Sequence, residues 1–115
     1  MKTILPTILL VLFSLSAFAE YNPSKQQTVM KKEITFTSEG HSLAGDLYLP
    51  AGFDAHQQYP AAIVGGSLTS VKEQMAGTYA RKLAAEGIIA LAFDYRHYGA
   101  SEGEPRQLED PAIKL

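Results

Sequence analysis

No cysteine occurs anywhere in the 115 residues. Neither a disulfide framework nor lipid attachment through a terminal cysteine is therefore open to the chain, and its fold must rest on an apolar core alone. A marked excess of one sign of charge is also missing. Ten Lys and Arg stand against twelve Asp and Glu, for a formal net charge of −2. No basic stripe suggests nucleic acid as a partner, and no acidic tail suggests a cationic one. Repeats and low-complexity tracts are absent, and nothing marks a domain boundary between residues 20 and 115. Three histidines are present, His41, His56 and His97. None follows the serine at 101, and none has the i, i+4 spacing or companion ligands of a metal site. No metal and no cofactor is implied.

The apolar run Ile4 to Phe13, broken by Pro6 and Thr7, is too short to span a bilayer comfortably. Lys2 precedes it, and Ala17-Phe18-Ala19 supplies small residues at the spacing that a signal peptidase needs before Glu20. Residues 1–19 read as a secretory signal peptide cleaved after Ala19, with a retained anchor as the alternative. Cleavage would leave an exported, periplasmic or secreted, product of residues 20–115 without a stable membrane anchor.

Two alternating stretches follow. Ile34 and Phe36 alternate with Glu33, Thr35 and Thr37. Beyond the turn around Glu39-Gly40, Leu43, Leu47 and Leu49 alternate with Ala44, Asp46 and Tyr48. This pattern predicts an antiparallel hairpin with one wet face. Gly45 occupies an apolar position of the alternation, so a bulge or a close backbone approach is expected there. Pro50 ends the second strand, and 51–59 is a polar loop.

The centre of the chain is a β-α-β unit. Ala61 to Val64 and Ile88 to Phe93 are apolar without alternation, as in parallel strands covered on both faces, and a helical segment from Val71 to Glu86 separates them. Ser70 with Glu73 has the spacing of a capping box, and Gly87 fits the left-handed stop. Met75, Tyr79 and Leu83, with Ala76, Ala80 and Ala84 alongside, form the expected apolar face. Lys72, Arg81, Lys82 and Glu86 are expected to face water.

Two places invite chemistry. Gly65-Gly66-Ser67-Leu68-Thr69 lies at the carboxyl end of a predicted parallel strand, where glycines let the backbone approach a ligand and following N–H groups suit a developing negative charge. Without a ligand, the same turn is simply a tight strand-to-helix connection. The second place, Gly99-Ala100-Ser101-Glu102-Gly103, matches Gly-x-Ser-x-Gly. A nucleophile elbow needs a strand running directly in and a helix leaving directly. Here Asp94 to Tyr98 intervene on one side, Pro105 follows on the other, and the next helix start is better placed at Asp110 and Pro111. Ser101 is accordingly read as a structural serine. A third reading, a dinucleotide-binding oxidoreductase with Asp94 at the end of the next strand, lacks its fingerprint, because counted from Gly65 the needed glycines are Ser67 and Ser70.

Taken in order, Leu43-Ala44-Gly45-Asp46-Leu47-Tyr48-Leu49-Pro50, Val64-Gly65-Gly66-Ser67, Val71-Lys72-Glu73-Gln74-Met75-Ala76 and Phe93-Asp94-Tyr95-Arg96, with the Asp-x-Arg-x-x-Gly-x-Ser-x-Gly run from 94 to 103, resemble the opening of an α/β hydrolase of the dienelactone-hydrolase-like branch. His97 departs from the glycine that many relatives carry after the arginine. The resemblance implies an α/β fold, the N-terminal half of an α/β-hydrolase sheet, with the hairpin, fourth strand and third strand side by side. It also implies a serine-type hydrolase of carboxylic esters or related acyl bonds, acting on a small molecule. None of the Ser, Asp and His triad is expected within these residues. Ser67 and then Leu68 would supply oxyanion-hole N–H groups, while Gly65, Gly66, Asp94 and Arg96 would shape the loops. Such a half-sheet would leave the outer edge of Ala61 to Val64 open, and Ile89, Leu91 and Phe93 uncovered, forfeiting about 1.5–3 kcal/mol each. An inactive, aggregation-prone fragment is the expectation, and a noncatalytic module that pairs through this open edge is the alternative.

Overall fold

A computed structural model of the chain describes residues 29–113, so the expected signal peptide and its cleavage site lie outside the described residues. Four strands and one helix follow in order: β1 (Met30–Ser38), β2 (His41–Leu49), β3 (Ala61–Val64), α1 (Met75–Ala85) and β4 (Ile89–Phe93). The sheet order is β1-β2-β4-β3. β2 runs antiparallel to both β1 and β4, and β3 pairs parallel with β4. Hairpin, fourth strand and third strand stand side by side, as the resemblance implied.

The hairpin closes through two residues with positive φ, Glu39 (47°) and Gly40 (78°). Their left-handed conformation matches the right-handed twist of the flanking strands. Pairing is regular from Ser38↔His41 to Met30↔Leu49, so Gly45 makes no bulge. It makes the other expected feature, a close approach. A Cβ at Gly45 would stand 2.9 Å from Leu91 Cδ1 and 3.4 Å from the Ala92 carbonyl oxygen.

The wet face holds in β1, where Glu33, Thr35 and Thr37 are exposed and Ile34 and Phe36 half-buried, but β2 is covered on both sides, Leu43 included. Asp46 and Tyr48, read as solvent-facing, are 1% and 3% exposed. They lie on the side that α1 covers, where Tyr48, Ala76, Ala80, Ala84, Ala90 and Ala92 form the core, with Val29, Val64 and Leu83 packed against it. Five alanines in that layer bring the helix close to the sheet. The face of α1 expected from the Met75, Tyr79, Leu83 spacing is displaced correspondingly. Ala76, Gly77, Ala80 and Ala84 are buried, while Met75 and Tyr79 are exposed. A periodic apolar row signals a helix, but the narrower alanine row beside it fits the space available.

The opposite face carries Phe36, Leu43, Ile63, Leu91 and Phe93, which with Ser38 line an apolar groove of about 250 Å³. Phe93 is covered there, against the expectation. Its ring meets Phe36 and Tyr95 edge-on at 5.9 and 5.1 Å. Ile63 on β3 is the exposed member, at 74%.

Helix α1 starts four residues later than the predicted Val71, and the capping box does not form. The Ser70 hydroxyl donates backwards to the Ser67 carbonyl at 2.9 Å, and Glu73 is engaged by Lys72. Gln74 Oε1 accepts the Val71 N–H instead. The stop is as predicted. Gly87 has φ of 91°, its N–H donates to Ala84, and the Ile88 N–H donates to Leu83, which is a Schellman closure.

Gly77 tests this packing. Alanine in place of glycine within a helix normally gains about 1 kcal/mol, but a Cβ at Gly77 would lie 2.5 Å from the Lys72 carbonyl oxygen and 3.1 Å from the Tyr48 hydroxyl. Gly77→Ala is expected to destabilise by about 1–3 kcal/mol, as overpacking against backbone does. Gly45→Ala would come closer than ordinary contact only to the movable end of Leu91 and is expected to cost less. Urea unfolding of the two variants side by side measures the difference.

Candidate functional site

Two chain segments leave the carboxyl ends of the parallel pair, Gly65 to Lys72 after β3 and Asp94 to Arg106 after β4, and the site lies between them. Strand β4 delivers Asp94 into complete burial. Its carboxylate Oδ1 accepts the Lys72 N–H at 2.7 Å, and Oδ2 accepts the Lys72 ammonium at 3.3 Å and the Ala100 N–H at 3.0 Å. One buried carboxylate thus fixes both segments. Lys72, expected in solvent, is buried, because the late start of α1 turns this residue inward. Burial depresses its ammonium, but the hydrogen bond to Glu73 and the charges of Asp94 and Glu73 outweigh that, and the net shift is upward. Glu73 is held below its ordinary value first by the hydrogen bond from Lys72, against a smaller opposing effect of burial.

Ser101 is 3% exposed. Its hydroxyl donates to the Asp94 carbonyl at 2.6 Å and accepts the Ala44 N–H at 2.9 Å, so it ties the loop to β2. Glu102 continues the tie. Its carboxylate accepts the Ser42 N–H, and its own N–H donates to the Ser42 carbonyl, at 2.8 and 2.9 Å. Arg106 closes the loop from outside by donating to the carbonyls of Gly99, Ser101 and Gly103.

His97 has φ of 74°, the left-handed region that glycine occupies without cost. Its Nδ1 lies 2.9 Å from the Pro105 carbonyl oxygen, and its main-chain N–H and carbonyl bond to Glu102 and Gln107. The unusual residue is therefore accommodated in the backbone shape that glycine favours. Arg96, also buried, reaches Glu39 of the hairpin turn at 3.4 Å. Burial and then a hydrogen bond to Glu109 raise the Tyr98 phenol above its ordinary value.

The Gly65-Gly66-Ser67-Leu68 turn is open to solvent, with Ser67 exposed and Leu68 67% exposed. Among the described residues, neither the Ser67 nor the Leu68 N–H donates a hydrogen bond. The glycines are required by space. A Cβ on Gly65 would stand 2.6 Å from the Tyr95 hydroxyl, and one on Gly66 would stand 2.2 Å from the Ser70 hydroxyl. Neither the apolar groove nor a second cavity of about 390 Å³, lined by Glu33, Thr35, Ala44, Lys72 and Ala100 among others, includes this turn. His41, the first residue of β2, and His56, in the 50–60 loop, line neither of these cavities. Among the described residues no group of three or more His, Cys, Asp or Glu could hold a metal, and no helix is long and apolar enough to cross a membrane.

Sequence reasoning missed Lys72, Tyr95 and Ser70. Lys72 and Ser70 were masked by the early helix start, and Tyr95 by its neighbour Asp94. The missed signal was the pairing of two glycines with two hydroxyls.

Three outcomes follow from this geometry. Asp94→Asn leaves the Lys72 ammonium with Glu73 as its remaining counter-charge and weakens the carboxylate's hydrogen bonds to Lys72 and Ala100, and is expected to cost about 1–3 kcal/mol, part of which returns in the double variant with Lys72→Met; unfolding of the cycle measures this. Both His97→Ala and His97→Gly lose the imidazole, but only glycine escapes the positive-φ penalty, so His97→Gly should be the more stable by about 1 kcal/mol in melting experiments. Because the Lys72 value is raised in the folded chain, its contribution is full at pH below the ordinary lysine value of 10.5 and is lost as pH climbs past it. Unfolding free energy measured at pH 9 and pH 11 should fall more for the unsubstituted chain than for Lys72→Met.

No family model matches the chain. Among curated proteins, it is 43% identical over 89 residues to an uncharacterized Escherichia coli K12 protein, YcjY, covering 75% of this chain and 29% of that one. It is 39% identical over 84 residues to the thiohydrolase aneE of Aspergillus aculeatus, covering 72% and 25%. Among solved structures, the hypothetical protein PA2218 of Pseudomonas aeruginosa superposes with a TM-score of 0.71 at 40% identity, covering 76% of this chain and 27% of that one. The α/β hydrolase GrgF of Penicillium sp. sh18 superposes at 0.56 and 34% identity, covering 67% and 25%. The chain spans between a quarter and a third of the length of these curated relatives. Strand order, the parallel β3-β4 crossover and these superpositions agree: the described residues form the N-terminal part of an α/β-hydrolase fold.

Proposed function

We propose that this chain is the N-terminal, oxyanion-binding portion of an exported serine-type hydrolase of the dienelactone-hydrolase-like branch, acting on a carboxylic ester or related acyl bond of a small molecule. One observation carries this reading. The turn after β3 presents the N–H groups of Ser67 and Leu68 at the carboxyl end of a parallel strand, without competing partners among the described residues. Donors so placed stabilise the oxyanion of a tetrahedral intermediate, where losing one typically slows the reaction by about 10²–10³.

The attacking group is assigned outside residues 29–113. Ser101 has its hydroxyl committed to Asp94 and Ala44, and Asp94 has its carboxylate committed to Lys72 and Ala100. Neither can change partners during a reaction cycle without releasing the loop. Nucleophile, acid and histidine then belong to a part of the relatives' length that this chain does not span. The hydrolase GrgF and the thiohydrolase aneE support the reaction class.

Expression of the whole reading frame that contains this chain should yield turnover of p-nitrophenyl acetate, whereas residues 1–115 alone should yield none. Ser101→Ala should lower stability by about 1–3 kcal/mol and leave kcat of the folded whole protein within about twofold. Loss of turnover in Ser101→Ala protein that still melts cooperatively would sink the assignment. An intact mass beginning at Glu20 in the exported fraction tests the export part.

A noncatalytic reading is favoured by the outer edge of β3, which has no strand partner among the described residues, with Ile63 exposed beside it. Co-purification with one protein at fixed stoichiometry, together with absent turnover, would favour that reading.

A further inference from the structure

Two hydroxyls stand over the Gly65-Gly66-Ser67-Leu68 backbone, each on a carbonyl whose peptide group also contains a proposed oxyanion donor. The Tyr95 hydroxyl donates to the Gly66 carbonyl at 3.2 Å. The Ser70 hydroxyl and N–H both donate to the Ser67 carbonyl, at 2.9 and 3.2 Å. In a planar trans peptide, C=O and the following N–H point in opposite directions. Fixing the Gly66 carbonyl therefore aims the Ser67 N–H, and fixing the Ser67 carbonyl aims the Leu68 N–H, away from the hydroxyls.

We infer that Tyr95 and Ser70 are positioning residues that set the two peptide planes of the oxyanion turn; this rests on the hydrolase reading above. The turn needs such a device. Tyr95 and Ser70 leave no room for a side chain at 65 and 66, and glycine in exchange gives the backbone freedom to rotate a peptide plane through either sign of φ. A rotated Gly66–Ser67 plane would present a carbonyl oxygen to the developing oxyanion, a repulsion in place of a hydrogen bond. The hydroxyl bonds remove that alternative before substrate arrives, which is the preorganisation that electrostatic catalysis depends on. Tyr95 is itself fixed, since its ring packs edge-on against Phe93 at 5.1 Å and it directly follows the buried Asp94. Rigidity thus passes from the Asp94 cluster through Tyr95 to the turn.

The test uses the whole reading frame containing this chain, labelled with ¹⁵N. Tyr95→Phe keeps the ring and removes only the oxygen. It should move the Ser67 amide resonance while Ala90 and Ala92, buried in β4, stay in place, and Ser70→Ala should do the same to Leu68. With p-nitrophenyl acetate, Tyr95→Phe should lower kcat about fivefold to tenfold, the loss of roughly one hydrogen bond, with KM unchanged. Space supplies a second arm. A Cβ at Gly65 would be 2.6 Å from the Tyr95 oxygen but 3.7 Å from Cζ, so Gly65→Ala should be damaging alone and nearly harmless when combined with Tyr95→Phe. A Ser67 resonance unmoved by Tyr95→Phe, or equal damage from Gly65→Ala with and without it, overturns the inference. Displaced resonances in a protein that never turns over ester would instead bring down the hydrolase reading and support the control of the peptide planes by the two hydroxyls.

Discussion

The Asp94 carboxylate is the interaction on which the arrangement depends. A charged group with no solvent exposure is tolerated only when its oxygens are satisfied and its charge is opposed. Here the satisfying groups come from separate pieces of chain, the Lys72 segment before α1 and the Ala100 turn after β4. The main chain of the same residue bonds to Ala44 and Ser101. Meeting the needs of one residue thus brings the hairpin, the approach to the helix and the loop after β4 into register. The cluster also takes in the Gly-x-Ser-x-Gly match. Its serine is a fastener, and Gly99 has Asp94 oxygens where a Cβ would go.

Backbone freedom and side-chain restraint are balanced across the site. Gly65 and Gly66 are needed for the close approach of two hydroxyls, and the hydroxyls then limit the motion that the glycines would permit. His97 shows the opposite arrangement, a residue with a Cβ held at φ of 74° by main-chain bonds on both sides. Local strain of this kind persists where the surroundings over-determine the conformation. Both features sit beside the carboxyl ends of the parallel strands, where open α/β sheets bind their ligands.

The two faces of the sheet are built differently. On the α1 side, alanines and Gly77 let helix and sheet approach until only small side chains fit, with Tyr48 filling the remaining width. The other side carries the large groups Phe36, Leu43, Ile63, Leu91 and Phe93 around an apolar groove. Size, rather than hydrophobicity alone, decides which apolar residues enter the helix interface. That is why Met75 and Tyr79 stay outside while Ala76 and Ala80 go in.

The order of elements, the hairpin, the parallel pair and the Gly87 stop were legible in the sequence because each is written in nearby residues: a period of two, an apolar run, a glycine at a helix end. The Gly65-Gly66 turn and the separation of Ser101 from the end of β4 were legible for the same reason. The burial of Asp46 and Tyr48, where α1 begins, and the inward turn of Lys72 were decided only in three dimensions. Alternation identifies two faces without saying which one a helix will cover. A capping pattern such as Ser70 with Glu73 likewise yields when distant partners compete for its side chains. The aiming of the Ser67 and Leu68 N–H groups belongs to this second class, since it depends on hydroxyls from Ser70 and Tyr95 whose directions are set by the folded chain around Asp94.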